Sequence, residues 1–389
     1  MDIRYFHDEK CKDLLPLTYL KEPQELRCGI LTLAEKTQYA LKDSKLGKNR
    51  IVFVNSRLLI NEDVKKELKN KAHSFVLVNN GVIVLAVLKN DGNISHEQIE
   101  ELCAEKITVK SCLIEYPWDL IYKNGDEIAN DLRISHVRVG FKPLPALPAG
   151  RQAARHGAPA KRHGNISFIN PKNIFTSKTA KIYPGVVIDA EAGPVVVDAG
   201  ATIMANSVIT GPVYIGKGTV IKALSKIYGS TSIGPMCKIG GEVESTIFQG
   251  YSNKQHEGFI GHSFIGEWVN LGAGTNNSDL KNNYTNVKII VNGKEINTGK
   301  LFMGAIIGDH TKTGINTMIN TGTVIGISCN LFMSGYLPRH IPSFSWGGSG
   351  GLKEYTIEKA VETAKAAMKR RDLEMNKEYE SKFRRKALI

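Results

Sequence analysis

Two histidines lie in a stretch whose residue types could carry out acid–base chemistry. His256 and His262 are six residues apart in QHEGFIGHS, and the segment VNLGAGTNNSD follows at residues 269–279. An imidazole has an unperturbed pKa near 6.5, so it can accept a proton at neutral pH. Glycines leave the backbone N–H groups of such a segment open to a ligand that develops negative charge. Either histidine could therefore act as a general base, and the residues alone leave the choice open.

A metal centre is the competing interpretation of the same residues. His256, His262 and His310 could supply the three imidazoles of a zinc site. A six-residue step places neighbouring histidines on adjacent sides of a repeating coil, and nothing in the spacing makes the third converge on them. We therefore disfavour zinc, and the sequence assigns no aspartate to a metal ion.

The element that must position these residues is a six-residue repeat. A step of six fits neither a helix face nor the alternation of a strand, but it fits the hexapeptide repeat of a left-handed parallel β-helix. Three such units close one triangular coil, with the aliphatic residue pointing into a narrow core. The first run comprises Val197, Ile203, Ile209, Ile215, Ile221, Ile227, Ile233 and Ile239, and the second comprises Ile307, Thr313, Ile319, Ile325, Leu331 and Leu337. Between the runs the period is lost, which predicts a loop that leaves the coil.

Glycine usage divides the chain into different architectures, since only nine of the 37 glycines precede residue 165. Residues 1–142 are predicted to form an α/β domain, with strands at 51–55 and 74–88 and helices at 62–72 and 95–106. Residues 143–164 are a basic, Pro/Ala-rich linker or insertion. Residues 165–350 form the β-helix, and 351–389 form a C-terminal helix whose apolar stripe packs on it.

Charge and cysteine usage limit the location and partners that we expect. The formal net charge is +13, but the basic clusters at 141–164 and in the C-terminal tail lack the interleaved aromatic residues that stack on bases. We predict solvated basic surfaces and no nucleic-acid partner. No run of 18 apolar residues and no signal-like N-terminus occur, and the six cysteines are scattered, so we expect a cytoplasmic protein without a membrane partner.

The β-helix half resembles the acetyltransferase domain of the bifunctional glucosamine-1-phosphate acetyltransferase and N-acetylglucosamine-1-phosphate uridyltransferase. The family stretch V-N-I-G-A-G-T corresponds to Val269–Thr275, and its catalytic histidine, 19 positions before the threonine, corresponds to His256. The whole chain is more similar to a Bacteroidetes-type version of this bifunctional enzyme. The matching motifs are LPLT at 15–18, PWDL at 117–120, SNKQHEGFIGHS, GAGTNNSDLK, IIGD at 306–309 and IPSFSWG at 341–347.

This resemblance implies a site. His256 is the general base, His262 is the reserve, and Asn270 contacts the amino sugar. Lys254 lies near the substrate, although the family's phosphate-binding residues have no matched position, and Phe259 replaces a family tyrosine. The polar loop could orient sugar hydroxyls through Asn276, Asn277 and Asp279. Room for acetyl-CoA is expected at Gly272, Gly274, Gly304, Gly308 and Gly314. The family also places such sites between subunits, which implies a homotrimer.

The resemblance implies that residues 1–142 are a nucleotidyltransferase-like domain, but this half departs from the family at its nucleotide loop. The family has L-A-A-G-x-G-T-R before P-L-T, whereas HDEKCKD precedes LPLT here, with Glu9 and Cys11 in place of glycines and Asp13 in place of the arginine. An acidic loop repels a triphosphate. We expect UTP with Mg²⁺ to bind weakly, if it binds, through Lys21, with Arg27 as the reserve.

The resemblance implies a reaction and leaves one alternative open. The predicted function is acetyl transfer from acetyl-CoA to the amine of glucosamine-1-phosphate, coupled to weak uridylyl transfer from UTP that gives UDP-N-acetylglucosamine. The alternative is an acetyltransferase for another amino sugar nucleotide, whose N-terminal domain binds a nucleotide without catalysis. A few hydroxyl contacts decide which sugar is bound, so the sequence does not separate these substrates.

Overall fold

The computed structural model describes residues 1–47, 49–71, 73–89, 98–102, 105–134, 137, 141–143, 166–348 and 351–385. The chain divides into two compact units. The first comprises Met1–Leu14, Lys21–Leu26 and Leu31–Tyr116, and the second comprises Leu15–Leu20, Arg27–Ile30 and Pro117–Ile389. This division falls at Tyr116, whereas the sequence placed the domain boundary at 142. Residues 144–164 of the predicted linker lie outside the described residues.

The first unit is an α/β layer built on one five-stranded sheet. Its strands lie in the order Asp2–Phe6, Arg50–Asn55, Val82–Lys89, Phe75–Asn79 and Lys106–Thr108, and the first and last pairs are parallel. The short strand Leu58–Leu59 pairs with Cys112–Leu113. Helical segments are Glu9–Leu14, Pro23–Glu25, Leu33–Lys42, Glu62–Asn70 and Ile99–Leu102. The strand predicted at 51–55 and the helix after residue 62 are confirmed. The run at 74–88 forms two antiparallel strands, Phe75–Asn79 and Val82–Lys89, and the helix predicted at 95–106 covers only Ile99–Leu102 among the described residues.

Helix starts in this unit follow from local capping. The side chain of Thr32 accepts a hydrogen bond from the Glu35 N–H, and the Glu35 carboxylate accepts one from the Thr32 N–H. This reciprocal box satisfies two backbone donors that the first turn of a helix leaves unpaired. Asn61 caps the helix Glu62–Asn70 in the same manner by accepting from the Val64 N–H.

The second unit is dominated by a parallel β-helix with three faces, which confirms the predicted fold class. The first face comprises Ile174–Thr176, Val195–Val197, Val213–Ile215, Thr231–Ile233, Ile247–Gly250, Phe264–Glu267, Ile306–Ile307, Val324–Ile325 and His340–Ile341, with Lys142–Pro143 antiparallel at its start. The second comprises Ser167–Ile169, Val187–Asp189, Val208–Thr210, Lys226–Ile227, Glu242–Glu244, Phe259–Gly261, Asn276–Asn277 and Met318–Ile319. The third comprises Lys181–Ile182, Thr202–Ile203, Val220–Ile221, Lys238–Ile239 and Asn253–Lys254, then passes through Asn270 to Lys312–Thr313, Asn330–Leu331 and Ser345–Gly348.

The core of the β-helix contains the residues of the six-residue repeat. All eight positions of the first run, from Val197 to Ile239, are 0% exposed. On the third face Ile203 pairs with Ile221 and Ile221 with Ile239, so equivalent side chains stack directly above one another. Burial of each such side chain contributes about 1.5–3 kcal/mol. The inward orientation predicted for the repeat is confirmed.

The interval without a period is an insertion between the second and first faces. After Asn277 the chain leaves the coil, forms the hairpin Lys288–Val291 and Lys294–Asn297, and returns at Ile306. The hairpin pairs residues across the turn Asn292–Gly293, where both residues have positive φ. The predicted loop between the two runs is therefore confirmed.

Helices cover parts of the β-helix surface. The helix Pro117–Asp131 packs on strands of the first face, and the Asn124 side chain donates to the Ser230 carbonyl. The predicted C-terminal helix runs from Ile357 to Lys369, with Ala360, Val361 and Ala364 buried. A strand Gly351–Glu354 precedes it and a second helix, Lys377–Arg385, follows, so the segment predicted as one helix contains a strand and two helices among its described residues. Within the described ranges, no helix has the length and apolar character needed to cross a bilayer.

Candidate functional site

The three histidines of interest lie at three different corners of the triangular coil. His256 follows the third-face strand Asn253–Lys254, His262 follows the second-face strand Phe259–Gly261, and His310 follows the first-face strand Ile306–Ile307. We name the three edges of the prism after them. Consecutive corners are separated by a full side of the triangle, so these imidazoles do not meet within one chain. Consistent with this, the described residues contain no cluster of three or more potential metal ligands.

The His256 edge carries the predicted base on a short turn, residues 255–258. His256 is exposed, and no described residue hydrogen-bonds to its imidazole. Gly258 has φ +126, and a Cβ at that position would come within 2.2 Å of the Thr275 carbonyl oxygen on the next coil. Only glycine fits there, so the turn is fixed by close stacking while its imidazole stays open to solvent.

Lys254 requires a correction. The sequence placed it beside the substrate, but its side chain is 1% exposed and its ammonium donates to the carbonyls of Gly240 and His256, both at 2.9 Å. Burial lowers the pKa of Lys254 to about 8, with Glu257 and Glu242 acting in the opposite sense. An amine enclosed in this way does not reach a ligand on the surface, so we reassign Lys254 to support of the His256 turn.

Asn270 lies one coil beyond Asn253 on the outer side of the third face. The Asn253 amide donates to Asn270 Oδ1 at 3.4 Å, and Arg371 donates to Asn253 Oδ1 at 2.9 Å. Positive charge is concentrated beside this pair. The charge of Arg371, followed by burial and by the charges of Lys222 and Arg370, lowers the pKa of the neighbouring Lys238. The sequence did not predict that residues of the C-terminal segment would come close to the third face.

The polar loop predicted to orient sugar hydroxyls is divided by the structure. Asn276 lies on the His256 edge, where it is exposed and accepts from the Phe259 N–H at 2.7 Å. Asn277 is 4% exposed and exchanges hydrogen bonds with the N–H and carbonyl of Gly261, so it replaces an aliphatic core residue. Asp279 lies at the His262 edge instead. Of the three, only Asn276 remains available beside His256, which corrects the prediction for Asn277 and Asp279.

The reserve base, His262, forms a pair with Asp279. Its Nδ1 lies 2.8 Å from Asp279 Oδ2, and the side chains are 16% and 15% exposed. The imidazole stacks on Phe302 with ring centroids 5.2 Å apart, and Tyr122 lies 6.1 Å away. This pair ties the insertion to the coil at the point where it leaves. The carboxylate partner was missed from sequence because 17 residues and one full coil separate it from His262.

The five glycines predicted to leave room for acetyl-CoA are spread over all three edges. Gly272, Gly274 and Gly314 lie on the His256 edge, whereas Gly304 adjoins the His262 edge and Gly308 the His310 edge. Each is explained by close packing. A Cβ on Gly304 would lie 2.0 Å from the Gly261 carbonyl, and one on Gly308 would lie 2.8 Å from Gly326. Gly304 and Gly308 are therefore corrected to coil-stacking positions, away from His256.

The backbone donors of the segment Gly272–Thr275 are mostly used within the coil. The Gly272 N–H donates to Thr313 Oγ1, Gly274 to the Glu257 carbonyl and Thr275 to the Gly272 carbonyl. Ala273 is the member of this turn whose N–H donates to no described residue. Of the several backbone N–H donors that the sequence suggested would be open, only that of Ala273 remains, on the coil directly after His256.

Large apolar side chains are exposed along the His256 edge on both sides of the histidine. Leu224 is 64% exposed on an earlier coil, and Ile315, Phe332 and Tyr336 are 75%, 46% and 62% exposed on later coils. Tyr183, near the start of the same edge, is 45% exposed. Such a row on one edge of a folded unit is typical of a surface that another protein chain covers. Sequence periodicity did not find it, because these residues occupy turns outside the repeat.

In the first unit an ion pair occupies the carboxyl end of the parallel strands Asp2–Phe6 and Arg50–Asn55. Asp8 accepts from Arg57 Nε at 2.8 Å and Nη2 at 2.6 Å, and Asn55 donates to it at 2.9 Å. The Arg57 side chain is 3% exposed. Burial alone would raise the pKa of Asp8, but the hydrogen bonds and charge of Arg57 and Asn55 bring it below its ordinary value. Glu9–Leu14, a 3₁₀ helix, replaces an open glycine loop here.

A family of known proteins matches the N-terminal part of the chain. Residues 3–138 match the sugar nucleotidyl transferase family. These residues form a nucleotidyltransferase-like domain. The match extends past the compact first unit and includes the helix Pro117–Asp131.

Curated relatives of the chain are bifunctional proteins, and they confirm the resemblance found in the sequence. A bifunctional sugar-1-phosphate nucleotidylyltransferase/acetyltransferase from Sulfurisphaera tokodaii is 39% identical over 107 residues, which are 27% of this chain and 26% of the relative. The bifunctional protein GlmU from Methanococcus aeolicus is 35% identical over 192 residues, 48% of this chain and 41% of the relative. The chain thus spans less than half the length of these relatives.

A solved structure with an acyltransferase description was also matched. The N-acyltransferase AntD from Bacillus cereus, in complex with dTDP and 3-hydroxybutyryl-CoA, is 17% identical and covers 53% of this chain and 91% of its own, with a TM-score of 0.20. So low a TM-score carries no weight, and the β-helix assignment rests on the strand registers given above.

Neither predicted nucleotide contact of the nucleotidyltransferase-like domain is on an open surface. Lys21 and Arg27 are each 8% exposed. The Arg27 guanidinium donates to the Ile30 carbonyl and lies over the Tyr214 ring at 5.6 Å, while its N–H donates to Gln249 at 3.0 Å. Arg27 is therefore held within the second unit, and we correct its assignment to a packing residue.

Removing Asp8 is expected to destabilise the nucleotidyltransferase-like domain by about 3 kcal/mol, because Asp8→Ala leaves the buried Arg57 cation without its carboxylate. The folded-state pKa of Asp8 is lowered, so its contribution is present above its unfolded pKa and is lost as pH falls through the folded value. Denaturant unfolding at pH 7 and pH 3 measures both effects. Glu9→Ala, which removes a 94% exposed carboxylate, is the control. Equal stability of Asp8→Ala and wild type at pH 7 would contradict the assignment.

Proposed function

We propose that the chain transfers the acetyl group of acetyl-CoA to the amine of glucosamine-1-phosphate, with His256 as the general base. The observation that carries this proposal is the His256 edge, where an open imidazole lies between exposed Leu224, two coils before it, and exposed Ile315, two coils after it. Asn276 lies on the same edge, and Asn270 lies on the adjoining third face. The likeness of the chain to bifunctional nucleotidylyltransferase/acetyltransferases supports the same reaction class.

The proposed chemistry assigns one proton transfer to His256. The ammonium form of the substrate first gives one proton to solvent. The neutral amine then directs its lone pair at the thioester carbonyl carbon, and the imidazole takes the second proton from the nitrogen as the C–N bond forms. The tetrahedral oxyanion then collapses and expels the CoA thiolate, which takes a proton from the imidazolium. The products are the N-acetylated sugar phosphate and CoA. The Ala273 N–H is the backbone donor left for the oxyanion, one coil from His256.

An assay of the purified full-length chain tests the substrate assignment. Release of the CoA thiol is followed with acetyl-CoA and glucosamine-1-phosphate, and a panel of amino sugar nucleotides is run in parallel. We expect the highest kcat/KM with glucosamine-1-phosphate. A preference for an amino sugar nucleotide would favour the alternative substrate class, and an absence of turnover with every amino sugar would end the acetyltransferase proposal.

The homotrimer expected from the resemblance is part of this proposal. A second copy that covers the exposed apolar row would bury it and close the solvent side of His256. We expect Ile315→Lys together with Tyr336→Lys to convert a trimer to monomers in light scattering and to abolish turnover, because a charge in an apolar interface is not solvated. Tyr284→Lys, at a residue 72% exposed on the insertion, is the matched control and should leave the assembly intact. A wild-type chain that is monomeric and active would refute this part.

A second function for the N-terminal domain is favoured by one observation. The Asp8–Arg57 pair and the 3₁₀ helix Glu9–Leu14 occupy the strand ends where a nucleotide loop would be expected, which supports a domain that binds a nucleotide weakly or without catalysis. Pyrophosphate release from UTP, Mg²⁺ and N-acetylglucosamine-1-phosphate, alongside calorimetric titration with UTP, separates the possibilities. Robust turnover would favour the fully bifunctional enzyme.

A further inference from the structure

Lys254 occupies a position that the repeat reserves for an aliphatic residue. It pairs with Ile239 on the third face, where Ile203, Ile221 and Ile239 stack in the core. A lysine in this column gives up a hydrophobic contact and must desolvate a charge, which is unfavourable unless the charge is well hydrogen-bonded. An ordinary β-helix coil gains nothing from such a residue, so its presence requires a local reason.

The contacts of the ammonium supply that reason. Nζ donates to the carbonyl of Gly240, on the preceding coil, and to the carbonyl of His256, two residues further along its own coil. The two carbonyls belong to adjacent turns of the His256 edge. Space for the amine is provided by Gly241, where a Cβ would lie 2.7 Å from Nζ. Since the pKa of Lys254 is about 8, the amine is mainly charged at neutral pH and donates strong hydrogen bonds.

We infer that Lys254 is a positioning residue, whose ammonium clamps the His256 carbonyl to the preceding coil and so fixes the turn that presents the imidazole. The inference rests on the proposed function only for its kinetic consequence. The clamp itself is a structural statement about residues 255–258. Because the imidazole has no side-chain hydrogen bond to a described residue, the backbone of this turn is what sets its location.

The chain contains a matched lysine at another corner. Lys312 also has a pKa lowered by burial, to about 8, and its ammonium donates to the carbonyls of Trp268 and His310, both at 2.8 Å. It thus clamps two adjacent coils at the His310 edge, a full side of the triangle away from His256. Lys312→Met removes the same chemistry and leaves the His256 turn untouched.

The experiment compares Lys254→Met, Lys254→Ile and Lys312→Met in the full-length chain. Hydrogen exchange is measured by mass spectrometry on a peptide that includes residues 255–258, and kcat and KM are measured with acetyl-CoA and glucosamine-1-phosphate.

Both Lys254 variants restore an apolar residue to the repeat, so they are expected to fold with a melting temperature near that of wild type. We expect faster exchange at the His256 turn, a kcat lowered about 10- to 100-fold by misplacement of the base, and a KM for acetyl-CoA within about twofold. Lys312→Met should change none of these quantities at this turn.

Two outcomes would overturn the inference. One is wild-type exchange protection and kcat in both Lys254 variants. The other is an equal loss of protection at the His256 turn in Lys312→Met, which would indicate general loosening of the coil. A different outcome bears on the proposed function alone. If the wild-type chain turns over no amino sugar, the acetyltransferase proposal fails, and the exchange data still decide whether Lys254 holds the turn.

Discussion

His256→Ala is expected to lower kcat for acetyl transfer by about 10²- to 10⁴-fold, the usual contribution of a positioned general base. The amine of an amino sugar is largely protonated at neutral pH, and it must lose that proton to attack the thioester. The imidazole is exposed and outside the aliphatic core, so the variant should keep the wild-type melting temperature and oligomeric state. Steady-state kinetics, together with a binding titration of acetyl-CoA, measures the effect.

His262→Ala is the control for this prediction. His262 has the arrangement common for a catalytic base, because a carboxylate lies beside its Nδ1. It lies at the other end of the strand Phe259–Gly261, so it serves a different corner of the same chain. We expect a small kinetic effect and a measurable loss of stability where the insertion is tied to the coil. If His262→Ala abolishes turnover while His256→Ala does not, the base must be reassigned to the His262–Asp279 pair.

The β-helix was predictable from sequence because its repeat is a local pattern with a single physical meaning. An aliphatic residue at every sixth position has to be buried, and each of the eight positions of the first run is. Lys254 was misjudged because its closeness to His256 along the chain was taken as closeness to the substrate. What keeps it inside is a pair of carbonyls, one of them on the previous coil at Gly240, and backbone acceptors leave no mark in the sequence.

Most of the side-chain partners that sequence reasoning missed at the site come from segments distant along the chain. The Asp279 partner of His262 and the Arg371 partner of Asn253 are 17 and 118 residues away along the chain. The Asp8–Arg57 pair depends on two parallel strands placing their carboxyl ends together, and the order of strands in a sheet is not a local property. The glycines were likewise ambiguous, because close coil stacking and an open ligand channel both favour the smallest residue.

The apolar row on the His256 edge is the feature of the fold that bears on both the proposed assembly and the proposed chemistry. Exposed Leu224 and Ile315 contribute nothing to the core of their own chain, whereas their location above and below His256 matches what a subunit interface around the base would require. The turn that carries His256 is held from inside by Lys254, and its outer side is free. In the proposed trimer, the chain alone would fix the backbone of the proposed base, and a second chain would supply the wall that excludes water.

Ile221→Asp is expected to unfold the β-helix, with a loss of at least about 5 kcal/mol. Ile221 is 0% exposed and is stacked between Ile203 and Ile239. The substitution forfeits about 1.5–3 kcal/mol of apolar burial, and it places in the column a carboxylate that must remain unpaired or take up a proton against its ordinary pKa. Val220→Asp is the matched control, because successive residues of a strand face opposite sides and Val220 pairs with Lys238 on the outer surface.

Circular dichroism melting at pH 7 should show a native-like transition for Val220→Asp and none for Ile221→Asp. Lowering the pH to 4 should restore part of the Ile221→Asp structure, since a neutral carboxylic acid costs less to bury than its anion. A melting temperature within a few degrees of wild type for Ile221→Asp at pH 7 would mean that the column can open to water, and that the six-residue repeat does not carry the stability of the coil.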